Sequence, residues 1–486
     1  MALSALLHSL TNCLASVNYD CVITGFELFA MQPVLLWFRR NLRISDNAAL
    51  IAAAGSGRPI IPVYILDDED IGGASRWWLH HSLVSLDSDL RQMGSSLVLR
   101  SGSPDKLLTQ IAEQAGATAL YYTRRYEPVS RRQEDAVQAA LSEAIAVHVF
   151  DDSQLHNPDT VATRTGSPYR VFTSFWNAAR ALGDQPAPRP APKSIEFASH
   201  SLESLRLPHL NLLPTEPDWA QGLRDTWVPG ESSALDRIDD LEPVVQDYDQ
   251  HRDRPDLDAT SRLSPHLHFG EVSVRQVWHA ANQLSVRLRK ASGANALLRQ
   301  LYWRDFSTYL LFHFPSLPDK PLRTEFEQFP WSGNDPNLHA WQRGMTGYPI
   351  VDAGMRQLRQ TGWMHNRVRM IVASFLVKDL LIPWQTGAAW FLDNLVDADL
   401  ASNSASWQWV AGSGTDAAPY FRIFNPTLQG KKFDPHGRYV CQWIPELAET
   451  TQSEYPMPIV DHGMARQRAL EAYQSIRGMR TSKLAP

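Results

Sequence analysis

The hydrophobic pattern of this chain changes once along its length, and this change limits the folds that the chain can adopt. From Met31 to about residue 160, short apolar runs such as PVLLWF and ATALYYT alternate with helix-like stretches such as DKLLTQIAEQAG. This alternation is typical of a parallel sheet covered by helices. Further along, apolar residues recur at helical spacing, as in WMHNRVRMIVASFLVKDLL, and strand signals are weak. The sequence therefore predicts an α/β N-terminal doubly wound parallel-sheet domain plus an all-α C-terminal domain.

The 486 residues are too many for one ordinary hydrophobic core, so we expect two main domains. The connector between them is assigned from the Pro-rich stretches GDQPAPRPAPK and LLPTEPDW, which lack a clear period. The predicted boundaries are an extension of uncertain role at 1–30, the α/β domain at 31–160, the connector at 161–240 and the helical domain at 241–486.

Charge and cysteine content narrow the class of protein. The net charge of −6 argues against a protein that coats DNA regardless of sequence, so any contact with nucleic acid must come from a local basic patch. The spacing of Cys13, Cys21 and Cys441 matches neither a zinc site nor a disulfide framework. No apolar run reaches the roughly 18 residues of a membrane span. We therefore expect a cytoplasmic protein with no bound metal and no membrane contact.

Polar groups are most concentrated in the segment DADLASNSASWQWVAGSGTDAAPYFRIFNP. It contains the carboxylates Asp397 and Asp399 among Gly, Ala and Ser residues, which allow close approach of a planar ligand. Charges in such a segment need ionic partners or a polar ligand. No GxGxxG follows the first predicted strand, which argues against a dinucleotide site there. The segment therefore marks a candidate ligand site in the helical half.

Several runs of residues resemble the photolyase and cryptochrome family, and bacterial class I photolyases specific for cyclobutane pyrimidine dimers most of all. These runs are WFRRNLRISDN, TSRLSPHLHFGEVS, YWRDF, TGYPIVDAGMRQL, GWMHNRVRMIVASFLVKDLL and the block from DADLASN to FRIFNP. The resemblance extends from Met31 to about residue 475. It implies a deoxyribodipyrimidine photo-lyase of the bacterial cytoplasm, a monomer that binds damaged DNA and holds a bent FAD in its helical half.

The resemblance also implies which residues bind the flavin. Asn403 matches the position beside flavin N5, and Arg369 is expected to pair with Asp397. The string TSRLSP, taken alone, fits an ordinary helix cap equally well. The implied flavin site consists of Tyr248, Thr260, Ser261, Leu263, Ser264, Trp363, Asn366, Arg369, Asp397, Asp399 and Asn403.

Electron transfer and DNA binding are assigned in the same way. Indole is readily oxidised, and Trp331, Trp384 and Trp407 match a relay of rings in near contact that carries electrons from the surface to the flavin. Trp303 and Trp409 match the two tryptophans that clamp a flipped dimer. The other implied DNA contacts are Gln300, Asn366, Arg367, Met370 and Arg422, and Lys431 and Lys432 extend this basic patch unless they belong to an ordinary solvated surface.

One position departs from the pattern of dimer-repair enzymes. Gln300 stands where those enzymes carry glutamate, as it does in (6-4) photolyases and animal cryptochromes. However, (6-4) enzymes carry a second histidine where this chain has Asn366, so the cyclobutane dimer remains the expected substrate. The alternatives are a blue-light photoreceptor cryptochrome, a (6-4) photolyase or a nucleotide-binding module without photochemistry.

The antenna chromophore is left open by the sequence. The segment RRYEP lies where relatives place antenna-site residues, but Val129 and Ser130 replace the Asn and Glu of folate-binding members. A folate, a deazaflavin and an empty pocket are all compatible with these residues.

Overall fold

The computed structural model describes residues 31–67, 71–333, 335–416, 421–449 and 455–482. The predicted extension at 1–30 lies outside the described residues. Two architectures follow each other along the described chain, a sheet with helices first and then helices alone.

Five parallel strands form the sheet of the N-terminal half, in the order β3-β2-β1-β4-β5. The central strand β1 pairs with β2 through Val34 and Ile60 and with β4 through Val34 and Ala119. The strands are β1 (Val34–Phe38), β2 (Ile60–Leu66), β3 (Val98–Ser101), β4 (Ala119–Thr123) and β5 (Ala146–Phe150). This order, with strands on both sides of β1, confirms the predicted doubly wound sheet.

Both faces of the sheet are buried, which explains why its central strands are apolar without interruption. Val34, Leu36 and Phe38 of β1 face one hydrophobic core, whereas Leu35 and Trp37 face the other. The covering helices are α1 (Ala48–Gly55), α2 (Gly73–Gln92), α3 (Pro104–Ala115) and α4 (Pro128–Leu141).

The predicted connector contains short helices. These are α5 (Phe172–Arg180), α6 (Gln221–Thr226) and α7 (Glu231–Asp239). In α5, Phe172 and Phe175 are buried against Phe306, so this helix belongs to the core of the helical half. The Pro-rich flanks concealed this pattern because α5 is only nine residues long.

Helices make up the rest of the described chain. Among the described residues, the longest of these helices is Ala291–His313, which spans 23 residues and packs in the hydrophobic core of this half. The helices are α8 (Glu242–His251), α9 (Ser264–Phe269), α10 (Val274–Arg287), α11 (Ala291–His313), α12 (Asp335–Arg343), α13 (Pro349–Thr361), α14 (Asn366–Ser374), a π-helix (Phe375–Asp379), α15 (Trp384–Asn394), α16 (Leu400–Ala411), α17 (Pro426–Phe433), α18 (Arg438–Trp443), α19 (Glu446–Glu449) and α20 (His462–Ser482).

The two halves meet where the run WFRRNLRISDN contacts the end of α9. The Leu42 backbone N–H donates to the Phe269 carbonyl oxygen at 3.2 Å, and Arg43 Nη1 donates to the Gly270 carbonyl oxygen at 3.0 Å. Gly270 has φ +67°, and a Cβ there would lie 2.1 Å from the Arg40 carbonyl oxygen. A glycine is therefore required where the helical half touches the sheet.

Within the described ranges, we find no helix that is both long and apolar enough to cross a membrane.

Candidate functional site

An ion pair joins helix α14 to the loop that precedes helix α16. Arg369 Nη2 donates to both carboxylate oxygens of Asp397, at 3.1 and 2.9 Å. Arg369 Nε donates to the Met364 carbonyl oxygen at 2.7 Å. Asp397 is buried, and the guanidinium supplies the partner that a buried carboxylate requires. The predicted pairing of Arg369 with Asp397 is confirmed.

Helix α14 carries four of the expected site residues. Its N-cap is His365, whose Nδ1 accepts a hydrogen bond from the Arg367 backbone N–H at 3.2 Å. Asn366 lies three residues before Arg369 and four before Met370, so the three side chains share one face of the helix. Asn366 is exposed, and Arg369 and Met370 are half-buried. This face is therefore accessible to a ligand.

Trp363 precedes α14 and is buried. The guanidinium carbons of Arg262 and Arg369 lie 5.5 and 5.8 Å from its ring centroid. Trp363 therefore belongs to the same cluster as the ion pair.

The TSRLS segment forms the turn before helix α9. The N-cap residue of α9 is Leu263, which makes no side-chain capping bond. The Leu263 backbone N–H donates to Ser261 Oγ at 3.5 Å. Thr260 and Ser261 are half-buried, and Ser264 is exposed. Helix α9 therefore does not begin with an ordinary Ser or Thr cap, and no N-cap side chain satisfies its first N–H groups. Tyr248 on α8 is buried, and burial raises its pKa to about 12.

The start of helix α16 holds two more expected flavin residues. Asp399 is the N-cap, and its carboxylate accepts from the Ser402 backbone N–H at 2.7 Å. Asn403 Nδ2 donates to the Ala388 carbonyl oxygen on α15 at 3.0 Å. This bond fixes the amide orientation and leaves its oxygen to accept a further donor.

The three expected relay tryptophans belong to one hydrophobic core, with Trp384 and Trp407 buried and Trp331 half-buried. Their near contact along a relay stays a prediction. The ring centroids of Phe391 and Trp341 lie 5.0 and 6.4 Å from that of Trp407. Aromatic side chains from α12 and α15 fill the space beside the Trp407 ring because this core is closely packed.

Trp407 nevertheless packs against the first turn of α15, where Trp384 lies. A Cβ on Gly387 would come within 2.2 Å of Trp407 Cη2. Trp384 and Gly387 are three residues apart and share a helix face. Trp331 contacts Phe329, with 4.4 Å between ring centroids, toward the helix α20 side of the core.

The two expected clamp tryptophans are joined through residues that the sequence analysis did not assign. Trp303 stacks on Phe172 with 3.6 Å between centroids and 5° between planes. Trp409 Nε1 donates to the Asp416 carbonyl oxygen at 3.0 Å, and the Asp416 carboxylate faces the Phe172 backbone N–H. Phe172 could have been found from the aromatic spacing in VFTSFW, whereas Asp416 gave no signal.

Gln300 lies one turn before Trp303 on α11. Its Nε2 donates to the Ala296 carbonyl oxygen of the same helix at 3.1 Å. The amide nitrogen of Gln300 is therefore directed along its own helix. The side chains of Gln300 and Trp303 lie on one face of that helix.

The expected phosphate contacts converge on one open cavity. Arg367, Arg422 and Lys432 line a space of about 400 Å³ together with Phe433. Arg367 Nη2 also donates to Asp253 at 2.6 Å, which holds this side chain at the rim. Lys431 is exposed beside the cavity. The basic residues thus form a local patch in a chain of net negative charge.

Comparisons with known proteins agree with this arrangement. A family model described as DNA photolyase matches residues 34–193, and one described as the FAD binding domain of DNA photolyase matches residues 297–454. A deoxyribodipyrimidine photo-lyase of Agrobacterium fabrum is 46% identical over 471 residues, covering 92% of this chain and 98% of its own. Cryptochrome-1 of Arabidopsis thaliana is 35% identical, covering 90% of this chain and 70% of its own.

The fold also matches a solved structure. The crystal structure of a bacterial class III photolyase from Agrobacterium tumefaciens is similar with a TM-score of 0.89 and 45% identity. The match covers 96% of this chain and 99% of that one. The resemblance to class I enzymes is therefore not confirmed.

Proposed function

The chain belongs to the photolyase and cryptochrome family, and from this premise we propose that it repairs cyclobutane pyrimidine dimers in DNA with light and bound FAD. The observation that carries the proposal is the ion pair between Arg369 and Asp397. It connects the accessible face of α14 to the loop that leads into helix α16, which holds Asn403, Trp407 and Trp409.

The residues present fit a flavin nucleotide. Thr260 and Ser261 lie in the turn before α9, and no N-cap side chain satisfies the first N–H groups of this helix. Such donors suit a pyrophosphate. The Arg369 guanidinium, neutralised by Asp397, suits the edge of a polar ring system. When bound and reduced, FAD supplies the light-absorbing electron donor.

The proposed flavin residues act by holding and orienting. The bond from Asn403 Nδ2 to α15 fixes the amide, so its oxygen can accept a hydrogen bond from a protonated ring nitrogen. Asp397 fixes the Arg369 fork, and Trp363 covers the ion pair with an apolar surface. Tyr248, Asp399, Leu263 and Ser264 complete the proposed pocket.

The lesion is proposed to enter between Trp303 and Trp409. Aromatic walls accept a base pair taken out of the stack, and Gln300 and Asn366 offer hydrogen bonds to the pyrimidine edges. Met370 supplies an adaptable apolar contact. One electron enters the dimer, the two bonds that close its cyclobutane ring break, and the electron returns, so that no net oxidation or reduction results.

The basic patch and the buried tryptophans have separate proposed roles. Arg367, Arg422, Lys431 and Lys432 hold phosphates, which positions the strand without reading its sequence. Trp407, Trp384 and Trp331 conduct electrons between the pocket and the surface, where Trp331 is half-buried.

An antenna chromophore is proposed to bind at the carboxyl ends of the strands. A cavity there is lined by Trp37, Arg39, Tyr64, Asp67 and Arg125. Ligands of open parallel sheets bind at this edge. Arg39 and Arg125 form salt bridges with Glu134 and Glu127 there, so a folate, a deazaflavin and an empty pocket all stay open.

We propose the domain boundaries at 160 and 240, a monomer and a cytoplasmic location. The last strand of the sheet ends at Phe150, and the long helices begin after the connector. Cys441 is an exposed free thiol, which suits a reducing compartment.

A repair assay tests the proposal. The reduced protein is illuminated with oligonucleotides that contain either a thymine cyclobutane dimer or a (6-4) product, and loss of each lesion is measured. We expect loss of the cyclobutane dimer only. Loss of the (6-4) product would identify that lesion as the substrate instead. Loss of neither lesion with reduced FAD bound would favour a cryptochrome, in line with Gln300 and the match to Cryptochrome-1.

A further inference from the structure

A row of stacked side chains continues from the proposed lesion pocket over helix α5. Phe172 lies parallel to Trp303, and it is also nearly parallel to Trp176, with 6.3 Å between the Phe172 and Trp176 centroids and 8° between their planes. The guanidinium carbon of Arg299 lies 5.3 Å from the Phe172 centroid and 5.0 Å from that of Trp176. Arg180 covers Trp176 at 5.3 Å. We refer to Trp176, Arg180 and Arg299 as the α5 ladder.

The arginines of the α5 ladder keep their hydrogen-bonding edges available. Both are exposed, and Trp176 is half-buried. Among the described residues, neither arginine forms a salt bridge, although the Arg299 charge lowers the pKa of Asp416 against the larger effect of burial. A guanidinium that stacks through its face retains its N–H donors in the plane. The rings thus lie against two exposed cations, and Arg299 is also near the Asp416 carboxylate.

The position of the α5 ladder relates it to the lesion pocket. Arg299 and Trp303 are four residues apart on α11, about 6 Å along the helix axis, and lie on the same face. Arg422 instead lines a cavity with Trp409, the opposite wall of the proposed pocket. Arg299 is thus tied to Trp303 and Arg422 to Trp409, so these two arginines belong to different walls of the proposed pocket.

We propose that the α5 ladder is a further phosphate-binding surface, which holds the DNA strand on the Trp303 side of the lesion pocket. The inference rests on the proposed function for the identity of the pocket. A strand with a flipped dimer leaves the pocket in two directions, and Arg422 shares a cavity with Trp409. Arginine forks bind phosphate oxygens bidentately, and a half-buried indole offers a stacking surface that tolerates any base.

The test measures DNA affinity as a function of salt. Fluorescence anisotropy gives the dissociation constant of the flavin-loaded protein for duplexes with and without a dimer, between 50 and 200 mM salt. In Arg299→Ala, one phosphate contact is lost, so the slope of log affinity against log salt should fall by about 0.9. The affinity deficit of the variant should therefore shrink about threefold across this salt range.

Arg131→Ala is the matched control. Arg131 is an exposed arginine that also stacks on an aromatic ring, with 4.6 Å to the Phe312 centroid. Phe312 lies thirteen residues beyond Arg299 on α11, about 20 Å along the axis. The control should show the wild-type slope. Trp176→Ala should reproduce part of the Arg299→Ala effect because it removes the ring that fixes the guanidinium, whereas Trp176→Phe should retain the slope.

Two results would overturn the inference. The first is an unchanged salt slope in Arg299→Ala. The second is a variant that loses preference for dimer-containing over undamaged DNA, since a phosphate contact weakens binding to both equally. Duplexes shortened on one side of the dimer identify the flank, because the wild type and Arg299→Ala should bind equally once that flank is removed.

Failure of the proposed function gives a different result. A wild-type protein that neither repairs dimers nor prefers them would refute the lesion pocket. The salt slope of Arg299→Ala on undamaged DNA would still test the phosphate contact.

Discussion

Gln300 is proposed to contact the lesion, and its amide nitrogen donates to the Ala296 carbonyl oxygen of its own helix. A glutamate could not donate there, so Gln300→Glu frees the side chain to turn toward the pocket and restores a charge. We expect the repair yield per absorbed photon to rise severalfold for cyclobutane dimers. The measurement is lesion loss per photon with reduced protein at saturating substrate.

The control for this substitution is Gln300→Ala, which removes both hydrogen-bonding groups and should lower the yield. Affinity for undamaged DNA should stay unchanged in both variants, because the proposed contact of Gln300 is with the bases of the lesion and not with phosphates. An equal yield in the wild type and both variants would remove Gln300 from the lesion contacts.

His365 gives the fold a dependence on pH. Burial, followed by the charges of Arg367 and Arg369, lowers its pKa to about 4, although the Asp253 carboxylate opposes this. The unfolded chain therefore binds more protons between pH 4 and 6.5, and stability is lost as the pH falls through this range. At pH 5 the loss from His365 is about 2 kcal/mol.

The variant His365→Asn keeps an N-cap for α14 and removes the titrating ring. We expect the midpoint of thermal unfolding to fall less between pH 7 and 5 in the variant than in the wild type. Burial raises the pKa of Asp305 to about 7, so Asp305 adds stability as the pH falls. This contribution is the same in both proteins and cancels in the comparison. Parallel pH profiles of the two proteins would contradict the assignment.

At the scale of elements, helices α15 and α16 touch through Gly387 and the Trp407 ring. A Cβ at Gly387 would lie 2.2 Å from Trp407 Cη2 and 2.6 Å from Leu376 Cδ2. Gly387→Ala must therefore displace the ring or separate the helices, at a cost of about 1–3 kcal/mol. We expect lower stability in denaturant and slower photoreduction of bound oxidised flavin.

Gly55→Ala is the matched control for this packing effect. A Cβ at Gly55 meets nothing within 4 Å, and its backbone continues helix α1. This variant should be as stable as the wild type or slightly more so, because alanine favours a helix over glycine. Equal behaviour of the two variants would mean that the α15–α16 contact does not restrict residue 387.

At the scale of the whole molecule, Glu271 holds the α/β half against the helical half. Its Oε1 accepts from Trp78 Nε1 at 3.0 Å, from the Gly230 N–H at 2.8 Å and from Ser82 Oγ. The other oxygen bonds His266. Because Glu271 is fully buried, Glu271→Gln places an amide N–H₂ against a donor and should cost about 1–3 kcal/mol.

The expected result is faster proteolysis in the 161–240 connector and a lower unfolding midpoint. Glu143→Gln, at an exposed position, should change neither measurement. A Glu271→Gln protein with wild-type proteolysis would show that the two halves are held together by other contacts.

The sequence by itself determined the fold class and the elements that carry the site. Alternating apolar runs predicted the sheet because strand and helix periods are local properties of the chain. The family motifs also indicated the pairing of Arg369 with Asp397, since a buried carboxylate needs a cation and the motifs align both residues with one ligand. The proposed roles of the other motif residues remain predictions.

Only the tertiary structure decided which side chains lie against those residues. The stacking of Phe172 on Trp303, the link through Asp416 and the position of Trp341 beside Trp407 join segments far apart in the chain. A hydrophobic period specifies which face of an element is buried, but not which element covers it. Those partners are set by the packing of whole helices into a dense core, where shape and volume across all neighbours must be satisfied together.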